Sequence, residues 1–379
     1  MKINYKIQGT PNSPVLVFSN SLGSEMMMWD ELVPYLLPFF RVVQYDTRGH
    51  GKSEITKDAY NIQLLGEDMI ALMNTLEVDK FSFCGLSMGG LIGQWLGIHH
   101  SDRLNKLILS NTAAKIGTND GWNARIETIS KHGMNQIADA VIKGWFTDNF
   151  SQTNPGRLSE IKAMFLRNDV LGYSNCCTAV RDADFSEELG KISTETLVIA
   201  GSEDASTTIS DGEFLVNHIP NARLKILQAK HVSSTEFPAA FAKLLIDFIA
   251  GETTFERGMH VRRTVLGDEH VNKSIEKLND FNADFQYFIS NYAWGEIWTR
   301  HELSKHNRSL ITIAMLIALN RKAELQMHIK AAFNNGVTVT EIKEVIMHSA
   351  LYCGLPAANE AIHTAEQIIK ELNNEGVKE

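Results

Sequence analysis

The stretch "FSFCGLSMGGLIGQWLG", residues 81–97, sets one serine, Ser87, inside the pattern Gly85-Leu86-Ser87-Met88-Gly89. The apolar, aromatic run before it reads as a strand, and the run after it has helical spacing. A G-x-S-x-G at a strand-to-helix turn is the signature of a nucleophile elbow. There the serine takes a strained backbone conformation and stands exposed, so its neighbours must be small. The same letters also describe a tight turn with incidental glycines, and the surrounding sequence has to decide between the two.

Working outward, strand-like and helix-like segments alternate. "SPVLVFSNS", "FRVVQYD", "KFSFCG" and "LNKLILSNT" read as strands, and "NIQLLGEDMIALMNTLEV" and "GGLIGQWLGIHH" as helices. Such alternation predicts βαβ units and a parallel sheet covered on both faces. From about 120 to 185 the pattern turns helical, and strands return in "TETLVIAGSED" and "ARLKILQAKH". A helical insertion between early and late strands of one sheet is the pattern of a cap. The helix "PAAFAKLLIDFIAG" closes this unit near Gly251, and a linker over 252–258 follows. From 259 to 379 the strand signal fades and long amphipathic segments replace it, predicting an all-α second domain. Thr340 with Glu341 resembles a helix start there, and Gly336 a glycine just past a helix end.

A serine hydroxyl is a poor nucleophile until a base takes its proton, and the base needs an orienting acid. After an elbow serine the expected chain order is acid, then histidine. "TLVIAGSEDAST" supplies Asp204, with Glu203 as a weaker neighbour, and "LKILQAKHVSS" supplies His231. Taken singly, Asp204 reads as a loop cap and His231 as a surface histidine; in order and in context they complete a Ser87–Asp204–His231 triad. Two backbone donors must face the oxyanion. They are expected from Met88, directly after the nucleophile, and from Leu22 in the loop "SNSLGS".

Composition narrows the class. With 36 Lys+Arg against 45 Asp+Glu and a formal charge of -9, the chain has no basic stripe for nucleic acid. No apolar run reaches the length of a membrane span, and "MKINYKIQGT" lacks the core of a signal peptide, so a cytoplasmic location is expected. Cys84, Cys176, Cys177 and Cys353 show neither disulfide nor zinc spacing. No metal and no cofactor is expected.

With "SNSLGS", "YDTRGHGKS" and "GLSMGG" together, residues 1 to about 250 resemble the α/β-hydrolases and, among them, the 3-oxoadipate enol-lactonases. Many members of that fold carry His-Gly where this chain has Asn20-Ser21, which weakens the assignment of Leu22. Arg48, in "DTRGHG", is a tempting anion binder but reads better as the loop-bracing arginine of the fold. The second half, from "GMHVRRTVLGDEHV" through "AWGEIWTRHELSKHNRSLITIAMLIALNRKAELQMHIKAAFNNG" to "EVIMHSALYCG", resembles the 4-carboxymuconolactone decarboxylases. The fold class is therefore α/β-hydrolase with a helical cap, followed by an all-α carboxymuconolactone decarboxylase-like (AhpD-like) domain. Thiol peroxidases of that helical fold carry Cys-x-x-Cys where this chain reads "NRKAELQMH", which has no thiolate to offer.

Glu324 and His328 are four apart on one helix face. Spacing alone describes a solvated pair; the resemblance implies a catalytic one, with His328 as the proton donor because a free imidazole titrates near neutrality. Arg321, Arg262 and Arg263, in that order, are candidates for the substrate carboxylates, and His348 is a further histidine that reads better as core or interface. In the cap, Trp122, Trp145, Arg125 and Arg167 are candidates for the lactone's carboxylate. Decarboxylation of a carboxymuconolactone needs no cofactor as electron sink, because the electrons delocalise through the ring alkene onto the lactone carbonyl. Its product, the enol-lactone, is the substrate of the first half. The resemblance thus implies a bifunctional enzyme of protocatechuate breakdown acting on small lactones, and a homo-oligomer formed through the helical domain. The alternative is a general carboxylesterase whose helical domain serves only for oligomerisation.

Overall fold

A computed structural model of the chain describes residues 1–251 and 254–374. It divides into two compact units, Met1–Gly251 and Glu252–Glu379. Within the first, seven strands form one sheet: β1 Tyr5–Gln8, β2 Val15–Ser19, β3 Arg41–Tyr45, β4 Phe81–Leu86, β5 Leu104–Ser110, β6 Thr196–Gly201 and β7 Ala222–Leu227. Their spatial order is β1-β3-β2-β4-β5-β6-β7. Only β1 runs antiparallel, against β3. Central strands β4 and β6 are buried along their whole length, as a parallel sheet covered on both faces requires, whereas edge strand β7 is half-exposed.

The sheet carries the larger core, in which Phe18, Trp29 and Phe241 pack ring against ring. Between β5 and β6 the chain leaves the sheet for five helices, Asn119–His132, Asn135–Trp145, Asp148–Thr153, Pro155–Leu166 and Val170–Asp182. Local chemistry sets their starts. Thr118, Thr147 and Asp169 each accept a backbone N–H of the first turn, and Pro155 sits where its missing N–H costs nothing. Cys176 and Cys177 are buried in this layer, where burial raises both thiols far above the range in which a thiolate forms.

The second unit is all helical over its described residues. It runs through Thr254–Leu266, Asp268–Glu276, Ala283–Ile289, a π-helix Ser290–Ile297, then Lys305–Ala318, Lys322–Asn334, Val339–Cys353 and Leu355–Asn374. Ile313, Ile317, Leu325, Ile329, Ile342 and Ile346, spaced by one helical turn, supply its core. Of the expected linker, residues 252 and 253 lie outside the described residues, while 254–258 already form the first turn of a helix. The helix start expected at Thr340 lies two residues earlier. Thr338 is the cap, its hydroxyl accepting from the Glu341 N–H while the Glu341 carboxylate accepts from the Thr338 N–H in a reciprocal capping box.

Candidate functional site

Ser87 sits directly after β4 with φ 58° and ψ −111°, a strained conformation for any residue but glycine. The glycines around it make this turn fit. A Cβ on Gly85 would stand 2.0 Å from the Gly89 carbonyl oxygen, and one on Gly89 would stand 2.3 Å from that of Ser19. The strained turn is tied down on both sides: the Ser87 N–H donates to Ser110 (3.0 Å), and the Thr112 hydroxyl donates to the Ser87 carbonyl (2.8 Å).

Asp204 follows β6 and His231 follows β7, so both come from loops at the carboxyl end of the sheet, like Ser87. His231 Nδ1 lies 2.8 Å from the Asp204 carboxylate. That carboxylate also accepts from the Thr207 hydroxyl (2.8 Å), the backbone N–H groups of Ser206 (2.9 Å) and Thr207 (3.2 Å), and Asn111 Nδ2 (3.1 Å). Burial by itself would raise the Asp204 pKa. The hydrogen bond and charge of His231, with the bonds from Thr207 and Asn111, outweigh it and hold the group at about 2. Asp204 is therefore a fixed negative charge that orients the imidazole.

Leu22 and Ser87 line the same cavity, and Met88 opens the helix Met88–His99. Among the described residues neither the Leu22 N–H nor the Met88 N–H is engaged by a backbone or side-chain acceptor, so both remain available to an incoming oxygen. Asn20 accounts for the missing His-Gly pair. Its amide donates to the Tyr45 carbonyl (2.9 Å), its oxygen accepts from Trp29 Nε1 (2.8 Å), and its carbonyl accepts from the Gly89 N–H (3.1 Å). His50 holds the next residue, since its Nε2 accepts from the Gly23 N–H (2.8 Å). Burial drops the His50 pKa to about 4, which keeps that nitrogen free to accept. Arg48 is no anion binder: it is buried in a bidentate pair with Asp68 (2.6 and 2.7 Å) and bonds Thr56 (3.1 Å).

The cavity that Ser87 and His231 line measures about 530 Å³. Trp122, Arg125, Ile137, Val141 and Trp145 of the cap form its other walls. The Arg125 guanidinium lies over the Trp122 ring, 4.8 Å from its centroid. Arg167 instead pairs with Glu25 (3.1 Å) away from this cavity.

In the helical unit a cavity of about 510 Å³ opens between Thr254–Leu266, Asp268–Glu276 and Ala283–Ile289, lined by Phe255, Met259, Ile275, Leu278 and Tyr287. Among the described residues one arginine, Arg262, faces it, as does one carboxylate, Asp284. Arg262 is buried, its Nη1 reaching Ser290 Oγ at 3.4 Å, and its Nε has no partner among the described residues. The other two arginines stand elsewhere. Arg263 is held on the surface by Asp268 (2.9 Å) and Asn272 (2.8 Å), and Arg321 is exposed beside a crevice of about 10 Å³. Of the three, Arg262 alone lines this cavity.

His328 and Glu324 share the helix Lys322–Asn334, with His328 partly buried and Glu324 exposed. Burial first, and the charge of His270 second, lower the His328 pKa to about 4 against the opposing pull of Glu324. This differs from the near-neutral titration expected of a free imidazole: at pH 7 His328 is neutral. Reading the sequence missed His270, although "GDEHV" displays it. Its pKa is lowered by burial and by the charge of Arg262, but neither His270 nor the pair His328 and Glu324 is among the residues that line the cavity Arg262 faces. His348 stacks near Tyr352, with ring centroids 5.0 Å apart. Among the described residues no group of three or more His, Cys, Asp or Glu could hold a metal ion.

Comparison with known proteins agrees with this fold. The model of the "alpha/beta hydrolase fold" family matches residues 14–238, and that of the "Carboxymuconolactone decarboxylase family" matches residues 283–367. The chain belongs to both families. Over 239 residues, 63% of this chain and 90% of the relative, it is 42% identical to 3-oxoadipate enol-lactonase 2 of Acinetobacter baylyi. Over 121 residues, 32% of this chain and 90% of the relative, it is 58% identical to 4-carboxymuconolactone decarboxylase of the same organism. The crystal structure of the enol-lactonase from Burkholderia xenovorans LB400 superposes with a TM-score of 0.65 at 41% identity, covering 65% of this chain and 96% of that one.

Proposed function

We propose that the chain is a bifunctional enzyme of protocatechuate degradation. Its helical unit decarboxylates 4-carboxymuconolactone, and its α/β-hydrolase unit hydrolyses the resulting 3-oxoadipate enol-lactone to 3-oxoadipate. The observation that carries this reading is the pairing, on one chain, of relatives named for two reactions in which one makes what the other consumes.

In the hydrolase unit Ser87 Oγ attacks the lactone carbonyl. His231 takes the serine proton, and Asp204 stabilises the imidazolium that forms. The Leu22 and Met88 N–H groups receive the oxyanion. Ring opening expels an enol, which tautomerises to the ketone; a water activated by His231 then releases 3-oxoadipate from Ser87. The substrate keeps a free carboxylate, and Arg125 is the cation in the wall of the cavity that can meet it, with Trp122 and Trp145 against the ring.

In the helical unit Arg262 binds a carboxylate of the carboxymuconolactone, which gives its unpartnered Nε an acceptor. A bound dianion also raises the His328 pKa from about 4, so that His328 takes up the proton it delivers to the ring carbon, with Glu324 supporting the imidazolium. The helical unit leaves Phe281, Phe285, Phe288, Leu351 and Tyr352 exposed, Phe281 at 97%, and copies of the chain cover these faces in a homo-oligomer. The test is to give purified protein 4-carboxymuconolactone and follow both products. CO2 and 3-oxoadipate in equal amounts support the proposal. Hydrolysis of simple esters without CO2 release would leave a carboxylesterase with a helical oligomerisation domain.

A further inference from the structure

Both residues flanking His231 are bonded to the cap, and Lys230 is also tied to the end of β5, where its carbonyl accepts from Asn111 Nδ2 at 3.1 Å. The Val232 N–H donates to the Trp145 carbonyl at 3.1 Å, and Lys230 Nζ donates to the Lys143 carbonyl at 3.2 Å. Between them lies Glu236, a buried carboxyl in the short helix Ser233–Glu236. One of its oxygens accepts from the backbone N–H of Thr147 (3.3 Å) and from the Thr147 hydroxyl. The other accepts from the Lys230 N–H at 3.1 Å. Thr147 follows Phe146 and Trp145, and Trp145 is a wall of the substrate cavity.

We propose that Glu236 is a positioning residue that clamps the cap to the loop carrying His231, so that the imidazole reaches Ser87 only when the cap segment 143–147 is seated. The inference rests on the triad reading and adds to it. Substrate packed against Trp145 bears on a segment whose next polar contacts lead, through one carboxyl, to the residue before the general base. Glu236 touches no reacting atom; it fixes the position of the group that does. A displacement of about 1 Å at such a group is enough to cost about a hundredfold in rate.

The experiment compares Glu236→Ala, Thr147→Val and Thr147→Ser with wild type on the enol-lactone, with thermal unfolding measured in parallel. Glu236→Ala should lower kcat by about ten- to a hundredfold while KM changes by less than about threefold. Thr147→Val removes the hydroxyl donor and should lower kcat by about three- to tenfold, whereas Thr147→Ser keeps the donor and should restore it. A kcat that stays at wild type in Glu236→Ala and Thr147→Val overturns the proposal. So does a loss that tracks the unfolded fraction and is not restored by Thr147→Ser. Ser87→Ala and His231→Ala separate this from the triad itself: if they keep the lactonase activity, the triad reading fails, and if they abolish it, only the clamp is under test.

Discussion

Asp204 in the first unit accepts five hydrogen bonds, while Arg262 in the second has a buried Nε with none among the described residues. The two sites are built by opposite means. In the hydrolase unit a parallel sheet delivers Ser87, Asp204 and His231 from the ends of three strands, and nearby side chains complete the polar network before substrate arrives. In the helical unit the cavity is largely apolar but for Arg262, Asp284 and a few neutral polar side chains, Arg262 is desolvated, and His328, outside that lining, is held neutral. The first site is preorganised; under the proposed function the second gains its counter-charge from the substrate. A desolvated cation with a donor left unpartnered costs stability, so the second arrangement points to a ligand in a way that the first does not require.

The largest effect that would break this contrast is on the first site. His231→Ala should lower lactonase kcat by about 10⁴-fold or more, because the hydroxyl loses its base, while CO2 release stays at wild type. A parallel loss of both activities would show that the sites are not separate.

For the second site, Arg262→Met should lower kcat/KM for CO2 release by about a hundredfold, since a charge-assisted contact to carboxylate is lost. The same change removes a buried charge that has only Ser290 as partner and whose Nε has none among the described residues, so thermal unfolding should move upward. A variant that is both less stable and fully active would contradict the role given to Arg262.

A smaller effect is expected in the cap. Arg125→Met should raise KM for the enol-lactone by about ten- to a hundredfold and leave a neutral aryl ester unchanged, because only the former carries a carboxylate. Steady-state kinetics on both substrates decides it.

The smallest effect concerns protons. His50 has a folded pKa of about 4, below the ordinary imidazole value, so the unfolded chain binds its proton first as pH falls. Its contribution is present above pH about 6.5 and lost progressively down to pH about 4, amounting to at most about 3 kcal/mol. His50→Gln keeps an acceptor for the Gly23 N–H without a titrating group. Residual lactonase activity after a heat challenge should therefore fall less between pH 7 and pH 5 in His50→Gln than in wild type; equal losses would remove His50 from the account.

The contrast also explains what could be read from the chain. Ser87, Asp204 and His231 were legible because each follows a strand in a fixed order, and the sheet brings strand ends together by rule. Asn111 could have been found on the same grounds, since "LILSNT" puts polar residues at the end of β5. Glu236 could not, because its partner Thr147 is joined to it only by the placement of the cap. Among the helices the local signals competed. Thr338-x-x-Glu341 fits the capping-box spacing better than Thr340 beside Glu341, and the Gly and Thr of "GETTFERG" read as linker although 254–258 are helical. The order of the three arginines was beyond reach of the sequence, because helical spacing fixes a face and not the depth at which a side chain is buried.

The central claim is that two separate sites act in succession on one chain, and Ser87→Ala given 4-carboxymuconolactone tests it most directly. The account predicts CO2 release at the wild-type rate, accumulation of enol-lactone and no enzymatic formation of 3-oxoadipate. Loss of CO2 release together with hydrolysis, or 3-oxoadipate formed at the wild-type rate, would contradict it.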